Sequence, residues 1–238
     1  MKYKGFTLVE MVMTIVIIGI VALGMSGFIE LGTKGYVDSV DRQRLQNQAR
    51  FVIEKLTREF RHAVPNSFAL SDNNHCISFY PIKYSGYYYQ DEANDNIQFI
   101  LDNQATSVSF ANDEQITINP SRQADLTTAG TSSALGLVSE SDGVYTLTDS
   151  FSGHSISGRH YIYTDKVTYC ITNTDVITRK QGDDAAVYIG ENLDRSNSSF
   201  SYEEASLQRG GVVHLDLLFI NDDEQSSYKH NVQVLNVP

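Results

Sequence analysis

Tryptophan is absent from the 238 residues, proline occurs four times and cysteine twice, and basic residues are scarce, 18 Lys and Arg against 29 Asp and Glu. The scarcity is uneven: residues 66–238 hold 9 basic against 23 acidic side chains, a charge of −14, whereas residues 36–64 hold 6 against 4, a charge of +2. Nucleic-acid affinity comes mainly from Lys and Arg on phosphates, so the acidic C-terminal portion excludes a nucleic-acid partner. Cys76 and Cys170 form no Cys-x-x-Cys pattern, which excludes the common zinc and thioredoxin-like motifs. They are either two free buried thiols or one bridge, and a bridge closing so long a loop contributes about 4–5 kcal/mol on the chain-entropy account. The six histidines, His62, His75, His154, His160, His214 and His230, include no pair at helical metal-ligand spacing. There is no Gly-x-Ser-x-Gly elbow and no phosphate-binding glycine loop. Asp91 with Asp95, and Asp222-Asp223-Glu224, offer carboxylates for calcium, but neither has the EF-hand loop with its glycine, so they read as solvated turn residues. No catalytic site, cofactor or metal is expected.

What the chain does have is one long apolar run. From Met11 to Ile29 there are nineteen residues without a charge, which as a helix is about 28 Å long, close to the hydrocarbon thickness of a bilayer. Lys2 and Lys4 precede it, so the positive-inside bias places the N-terminus in the cytoplasm and the rest outside. An oxidising compartment for Cys76 and Cys170 follows from that topology. Ser26-Gly27 is a weak site for an ordinary leader peptidase. Glu10 argues against that reading, because a carboxylate inside an apolar run costs about 2.5–3.5 kcal/mol at the bilayer centre and needs a partner or headgroup solvation.

The hexapeptide Gly5-Phe6-Thr7-Leu8-Val9-Glu10 after a short basic leader resembles the processing site of type IV pilins and their relatives. The resemblance implies cleavage after Gly5 by a prepilin peptidase and methylation of the new N-terminus, Phe6. It implies also that Glu10, fifth in the mature chain, meets the N-terminal amine of a neighbouring subunit during assembly. The implied partners are other pilins and minor pilins, the peptidase, the inner-membrane assembly machinery and membrane lipid.

Beyond Leu31 the helix is expected to continue. Val37, Val40, Leu45, Ala49, Ile53, Leu56, Phe60 and Ala63 recur at steps of three and four, an amphipathic stripe, and Asp38 with Arg42 and Glu54 with Arg58 are acid-first pairs four apart. Pro65 ends the run. One helix from Phe6 to Val64 would be about 88 Å long. Gly19, Gly24, Gly27, Gly32 and Gly35 crowd its middle, and many major pilins carry proline where this chain has Gly27.

After Asn66 short β-branched and aromatic runs separated by turn residues predict antiparallel strands. They are Cys76 to Tyr80, Ile97 to Leu101, Val108 to Phe110, Ile116 to Ile118, Tyr161 to Tyr163 and Val167 to Ile171. Val176 to Thr178 follows across an Asn173-Thr174-Asp175 turn, and Val212 to Ile220 and Tyr228 to Val237 are the longest. Tyr87-Tyr88-Tyr89 is placed in a loop, as packing or as a surface for a sugar or partner. Residues 120–158 read as loops or an insertion with one strand, Val144 to Leu147.

The organisation is therefore α+β: a cleaved leader 1–5, a membrane or filament-core helix 6–31, an amphipathic spine 32–65, and a periplasmic β-rich head 66–238 carrying the insertion. Arg50 to Arg61 with Pro65-Asn66-Ser67, Val167-Thr168-Tyr169-Cys170 with Arg179, and Asn236-Val237-Pro238 are similar to an MshO-type minor pilin of the mannose-sensitive haemagglutinin pilus. More distantly they resemble the J-type minor pseudopilin of type II secretion. The resemblance implies a structural subunit that starts or caps a pilus, or else a secretion pseudopilin; a tip adhesin for a glycan or surface ligand is the reading from another class.

Overall fold

The computed structural model describes residues 5–91, 96–102, 108–136, 138–149, 151–205, 210–222 and 224–234, apart from the side chains of residues 26, 29 and 30. The expectations resting on Lys2, Lys4, Asp95, Asp223 and Asn236-Val237-Pro238 lie outside them. The fold is α+β and pilin-like. It has two units, residues 1–47 and 48–238.

The helix α1 runs Leu8–Arg61, 54 residues, about 81 Å. It begins two residues later than Phe6 because Thr7 caps it: the Thr7 carbonyl accepts from the Met11 amide at 3.2 Å and Thr7 Oγ1 from the Glu10 amide at 3.3 Å, satisfying donors that a helix start leaves open. It ends before Val64 because the chain is drawn into extended pairing. The Val64 amide donates to the Tyr80 carbonyl, the Ile82 amide to the His62 carbonyl, and Ala63 bridges Pro81. In the first unit Leu8–Met25 is long and apolar enough to cross a membrane and is fully exposed.

In the second unit the helix buries Ala49, Val52, Leu56 and Phe60, and Ala63 just beyond its end is buried too. Val52, not Ile53, carries the stripe, and Val37 and Val40 further up the helix are exposed. Fifteen strands follow α1 among the described residues. The first eight are β1 (Ala69–Ser71), β2 (Cys76–Phe79), β3 (Ile82–Asp91), β4 (Asn96–Leu101), β5 (Gln115–Thr117), β6 (Ser132–Ala134), β7 (Ser139–Ser141) and β8 (Val144–Leu147). The rest are β9 (Arg159–Tyr163), β10 (Val167–Ile171), β11 (Ile177–Gln181), β12 (Val187–Gly190), β13 (Ser199–Glu203), β14 (Val212–Asn221) and β15 (Glu224–Gln233). They form a five-stranded sheet β1-β2-β10-β11-β12, a seven-stranded sheet β6-β5-β9-β3-β4-β8-β7, and a three-stranded sheet β13-β14-β15. Every pairing between these strands among the described residues is antiparallel.

The helix sits on the five-stranded sheet through rings. Phe60 meets Phe68, Phe79 and Tyr169 edge-on, with centroids 5.5, 5.2 and 6.1 Å away, a geometry worth about 0.5–1.5 kcal/mol per pair beyond burial. At its rim Glu59 lies 3.0 Å from Arg179 on β11 and 3.1 Å from Lys55. Burial pushes the Glu59 carboxyl up, but the two cations outweigh it and hold the pKa below the ordinary carboxylate value. The seven-stranded sheet has its own core, in which Phe99 stacks on Tyr145 with Ile97, Leu101, Ile116, Leu147 and Ile162 around them.

Three expectations are corrected. Tyr87-Tyr88-Tyr89 lies within β3, not a loop. Period-2 alternation sends Tyr88 inward, its hydroxyl accepting from the Ser155 amide, and leaves Tyr87 and Tyr89 52% and 66% exposed on the other face. Val108 to Phe110 is not a strand; its Val108 amide donates to the Tyr145 hydroxyl and its side chains pack on the sheet core. Within residues 120–158 there are three strands rather than one, β6, β7 and β8, which form both ends of the seven-stranded sheet. Edge strands there bury few side chains, as the fully exposed β7 shows, so their sequence carries no apolar alternation to read.

His160 on β9 is buried, with its ring centroid 4.9 Å from that of Phe99. Burial pushes its pKa down to about 4, against a smaller upward pull from Asp102. The folded state therefore keeps it neutral, while the unfolded chain takes a proton below about pH 6.5. Its contribution is complete above that pH and is lost as pH falls toward the folded value, at a cost of about 3 kcal/mol. Urea midpoints compared at pH 7 and 4.5 are expected to drop markedly for the native chain and less for His160→Leu; equal drops would remove His160 as the cause.

Candidate functional site

The residues singled out at the N-terminus occupy one short stretch with three different environments. Gly5 and Phe6 are exposed and lie outside the helix. A Cβ built on Gly5 would meet nothing within 4 Å, so nothing in this chain's own packing demands glycine there. A requirement for glycine at this position has to come from whatever binds the segment. Phe6 is 83% exposed.

Thr7 and Glu10 follow with the spacing of a capping box, Thr-x-x-Glu. Only half of it is made: Thr7 Oγ1 takes the Glu10 amide, whereas the Glu10 carboxylate has no hydrogen bond or ion pair among the described residues. It stands in the first turn, where the helix dipole favours a negative charge by about 0.3–1 kcal/mol. The carboxylate is thus placed by the helix start and left free to meet a cation from elsewhere. The capping spacing is a local signal that the apolar pattern alone overlooks.

Around Glu10 the helix is apolar on every side. Thirteen large apolar side chains between Leu8 and Met25 are exposed. At about 1.5–3 kcal/mol each for full burial, they represent roughly 20–40 kcal/mol that water cannot supply. A helix hydrophobic all round is one that is buried in lipid or among other helices.

Far from this stretch, Cys76 on β2 and Cys170 on β10 are direct Cα partners. The Ile171 amide bonds the His75 carbonyl, which makes the pair a non-hydrogen-bonded one, where side chains approach most closely. Their Cα atoms are 4.1 Å apart and their sulfurs are at bonding distance, 2.09 Å.

Among the described residues no group of three or more His, Cys, Asp or Glu side chains is arranged to hold a metal ion. Of the carboxylates considered for calcium, Asp222 is in the left-handed region at φ 51° in the β14–β15 turn, and Asp91 closes β3 opposite Asn96.

Residues 1–26 match the family model described as the prokaryotic N-terminal methylation motif. The chain carries that motif. It supports a type IV pilin-like or pseudopilin-like protein, a structural rather than enzymatic class, and the exposed apolar helix behind the motif is consistent with membrane anchoring. The motif also implies cleavage by a prepilin peptidase and assembly with other pilins. No curated protein and no solved structure matches the chain significantly.

Proposed function

We propose that this chain is a minor pilin of an MSHA-type type IV pilus, a non-enzymatic subunit that is cleaved after Gly5, methylated on Phe6, and incorporated where a filament starts or ends. The observation that carries the reading is the methylation motif at the exposed residues Gly5 and Phe6, followed at once by a capped apolar helix of which no residue is buried. Before assembly the helix sits in the inner membrane with the head in the periplasm, and the partners are other pilin and minor pilin subunits, the peptidase and the assembly machinery. In that compartment Cys76 and Cys170 are held as a disulfide. A head that adds a seven-stranded sheet to the one under the helix is bulky for a subunit repeated along a filament, which favours a low-copy position.

Processing is tested at Gly5. Because a side chain there meets nothing in the fold, Gly5→Val is expected to leave insertion and head folding unchanged and to keep the leader attached, seen as a heavier band and a mass that includes residues 1–5. Normal cleavage of the variant would contradict the assignment. A secretion pseudopilus uses the same motif. Recovery of the chain from sheared surface filaments, as opposed to the envelope alone, separates the two.

A further inference from the structure

In the second unit β12, Val187–Gly190, is an edge strand of the five-stranded sheet. Among the described residues its backbone amides and carbonyls bond to nothing beyond β11. Its outer rim is therefore a row of open donors and acceptors, a template for another strand. Folded chains commonly blunt such a rim with charged or polar side chains. Edge strand β7 shows Ser139-Glu140-Ser141 and edge strand β15 shows Lys229, all exposed. On β12 there is neither lysine nor proline, and Val187 and Tyr188 stand 61% and 75% exposed.

Beside this rim lies a groove of about 620 Å³, lined by Gln48 of the helix and by Thr174, Val176, Tyr188, Ile189 and Gly190, a size within the range of ligand sites. Ile189 is the extra residue of a bulge: pairing passes from Ile177 with Gly190 to Thr178 with Tyr188 and skips it. Bulges re-aim side chains, and this one adds Ile189 to the groove wall. The end of β12 is held to the helix. Gln48 Nε2 donates to the Glu191 carbonyl at 2.8 Å, and a Cβ on Gly190 would lie 2.7 Å from Val52 Cγ2, so glycine is what lets strand and helix approach so closely. Rim and groove are thus in place before a partner arrives, which lowers the cost of binding. Asp183 and Asp184, exposed just before the strand, have no side-chain hydrogen bond or ion pair among the described residues.

We propose that β12 binds an extended segment of another protein chain by strand addition, with an apolar side chain of that segment in the groove and a basic residue at one end against Asp183 and Asp184. In this mode main-chain bonds give affinity and pockets for alternate side chains give selectivity. Val187 and Tyr188 point to opposite faces of the sheet, where cross-strand side chains of the added strand cover them. A ligand without a peptide backbone would bury the rim's donors and acceptors unpaired, and a polyanion would meet the two aspartates. The proposal goes beyond the subunit reading, since it requires neither cleavage at Gly5 nor contact through Glu10.

The test uses the full chain in a nonionic detergent and short labelled peptides of alternating valine and threonine with lysine ends, read by fluorescence anisotropy. Matched peptides carry glutamate ends, a scrambled order without alternation, or N-methyl groups on alternate amides in either of the two phases. Saturable binding of the lysine-ended peptide is expected. Scrambling, N-methylation in at least one phase, and Tyr188→Lys are each expected to weaken it roughly tenfold or more. Asp183→Lys/Asp184→Lys should shift preference to the glutamate-ended peptide, and Tyr87→Ala/Tyr89→Ala should change nothing. Circular dichroism checks folding, and the N-methylated peptides on the native chain decide the matter if Tyr188→Lys does not fold. No saturable binding, equal binding of both N-methylated peptides, or a loss confined to the Tyr87/Tyr89 variant would overturn the proposal. So would self-association in sedimentation that Tyr188→Lys abolishes and the peptide does not compete, because the rim would then pair with a second copy.

Discussion

A strain whose only copy carries Glu10→Ala is expected to insert and fold this chain normally yet to lose it from filaments. The carboxylate has no partner among the described residues, so removing it breaks no contact within the chain. Its local worth at the helix start is about 1 kcal/mol at most, and membrane insertion gains from loss of the charge. In a bundle of apolar helices the balance differs, because stripping one member from a buried ion pair costs about 3–5 kcal/mol. That is about two to nearly four orders of magnitude in the equilibrium for each subunit contact. Filament number per cell and the amount of this chain in sheared filaments should both fall. Glu10→Gln separates charge from capping: it keeps a side chain able to serve the helix start but cannot pair with an amine, and is expected to fail like Ala. Wild-type values for both variants, with normal expression, would leave the motif as a processing signal only.

Removal of the cross-strand bridge is the second large effect. Cys76 and Cys170 are 94 residues apart in sequence, and closing a loop of that length restrains the unfolded chain by about 4.7 kcal/mol on the entropy account, less in most measured cases. Small and medium domains hold only about 5–15 kcal/mol in total. The double replacement Cys76→Ala/Cys170→Ala is therefore expected to lower the unfolding midpoint of the head by roughly 8–16 °C, with the same result for the native chain under strong reductant. Since β2 and β10 are central in the five-stranded sheet that carries the helix, the loss should appear as one cooperative shift. Thiols that label fully without reductant in protein taken from the envelope, or a midpoint that reductant does not move, would exclude the bridge.

Much of the α-helical part was legible because it rests on local rules. Spacing of three and four located Leu45, Ala49, Leu56 and Phe60 on the buried stripe, the helix ends at Arg61, short of the stop expected at Pro65, and the Gly5-to-Glu10 motif was readable as it stands. The misplacement of Ile53 for Val52 is a difference of one position in a helix where both are β-branched and apolar. Legibility failed where the cause is non-local. Tyr87-Tyr88-Tyr89 was placed in a loop, yet Gly86 just before them is where β3 comes so close to β4 that a Cβ would lie 1.9 Å from the Ile100 carbonyl oxygen. Strands β6 and β7 bury too little to impose a pattern on Ser-, Thr- and Gly-rich sequence, whereas β8, with Tyr145 and Leu147 buried in alternation, was readable. Glu59 and Arg179 are 120 positions apart, and nothing near either one announces the pair. The groove beside β12 is likewise assembled from segments, Gln48 on the helix and residues 174–191, that meet only after helix and sheet have joined.

On the proposed function, the apolar helix is retained and the chain becomes a filament subunit through its new N-terminus. Intact-mass and N-terminal peptide analysis of this chain from sheared surface filaments addresses it most directly. A single N-terminus at Phe6 is expected, heavier than the unmodified residue by one methyl group, with Glu10 and everything after it present. A chain that still begins with the leader, one that begins beyond Ser26, or an unmethylated Phe6 in assembled filaments would contradict it.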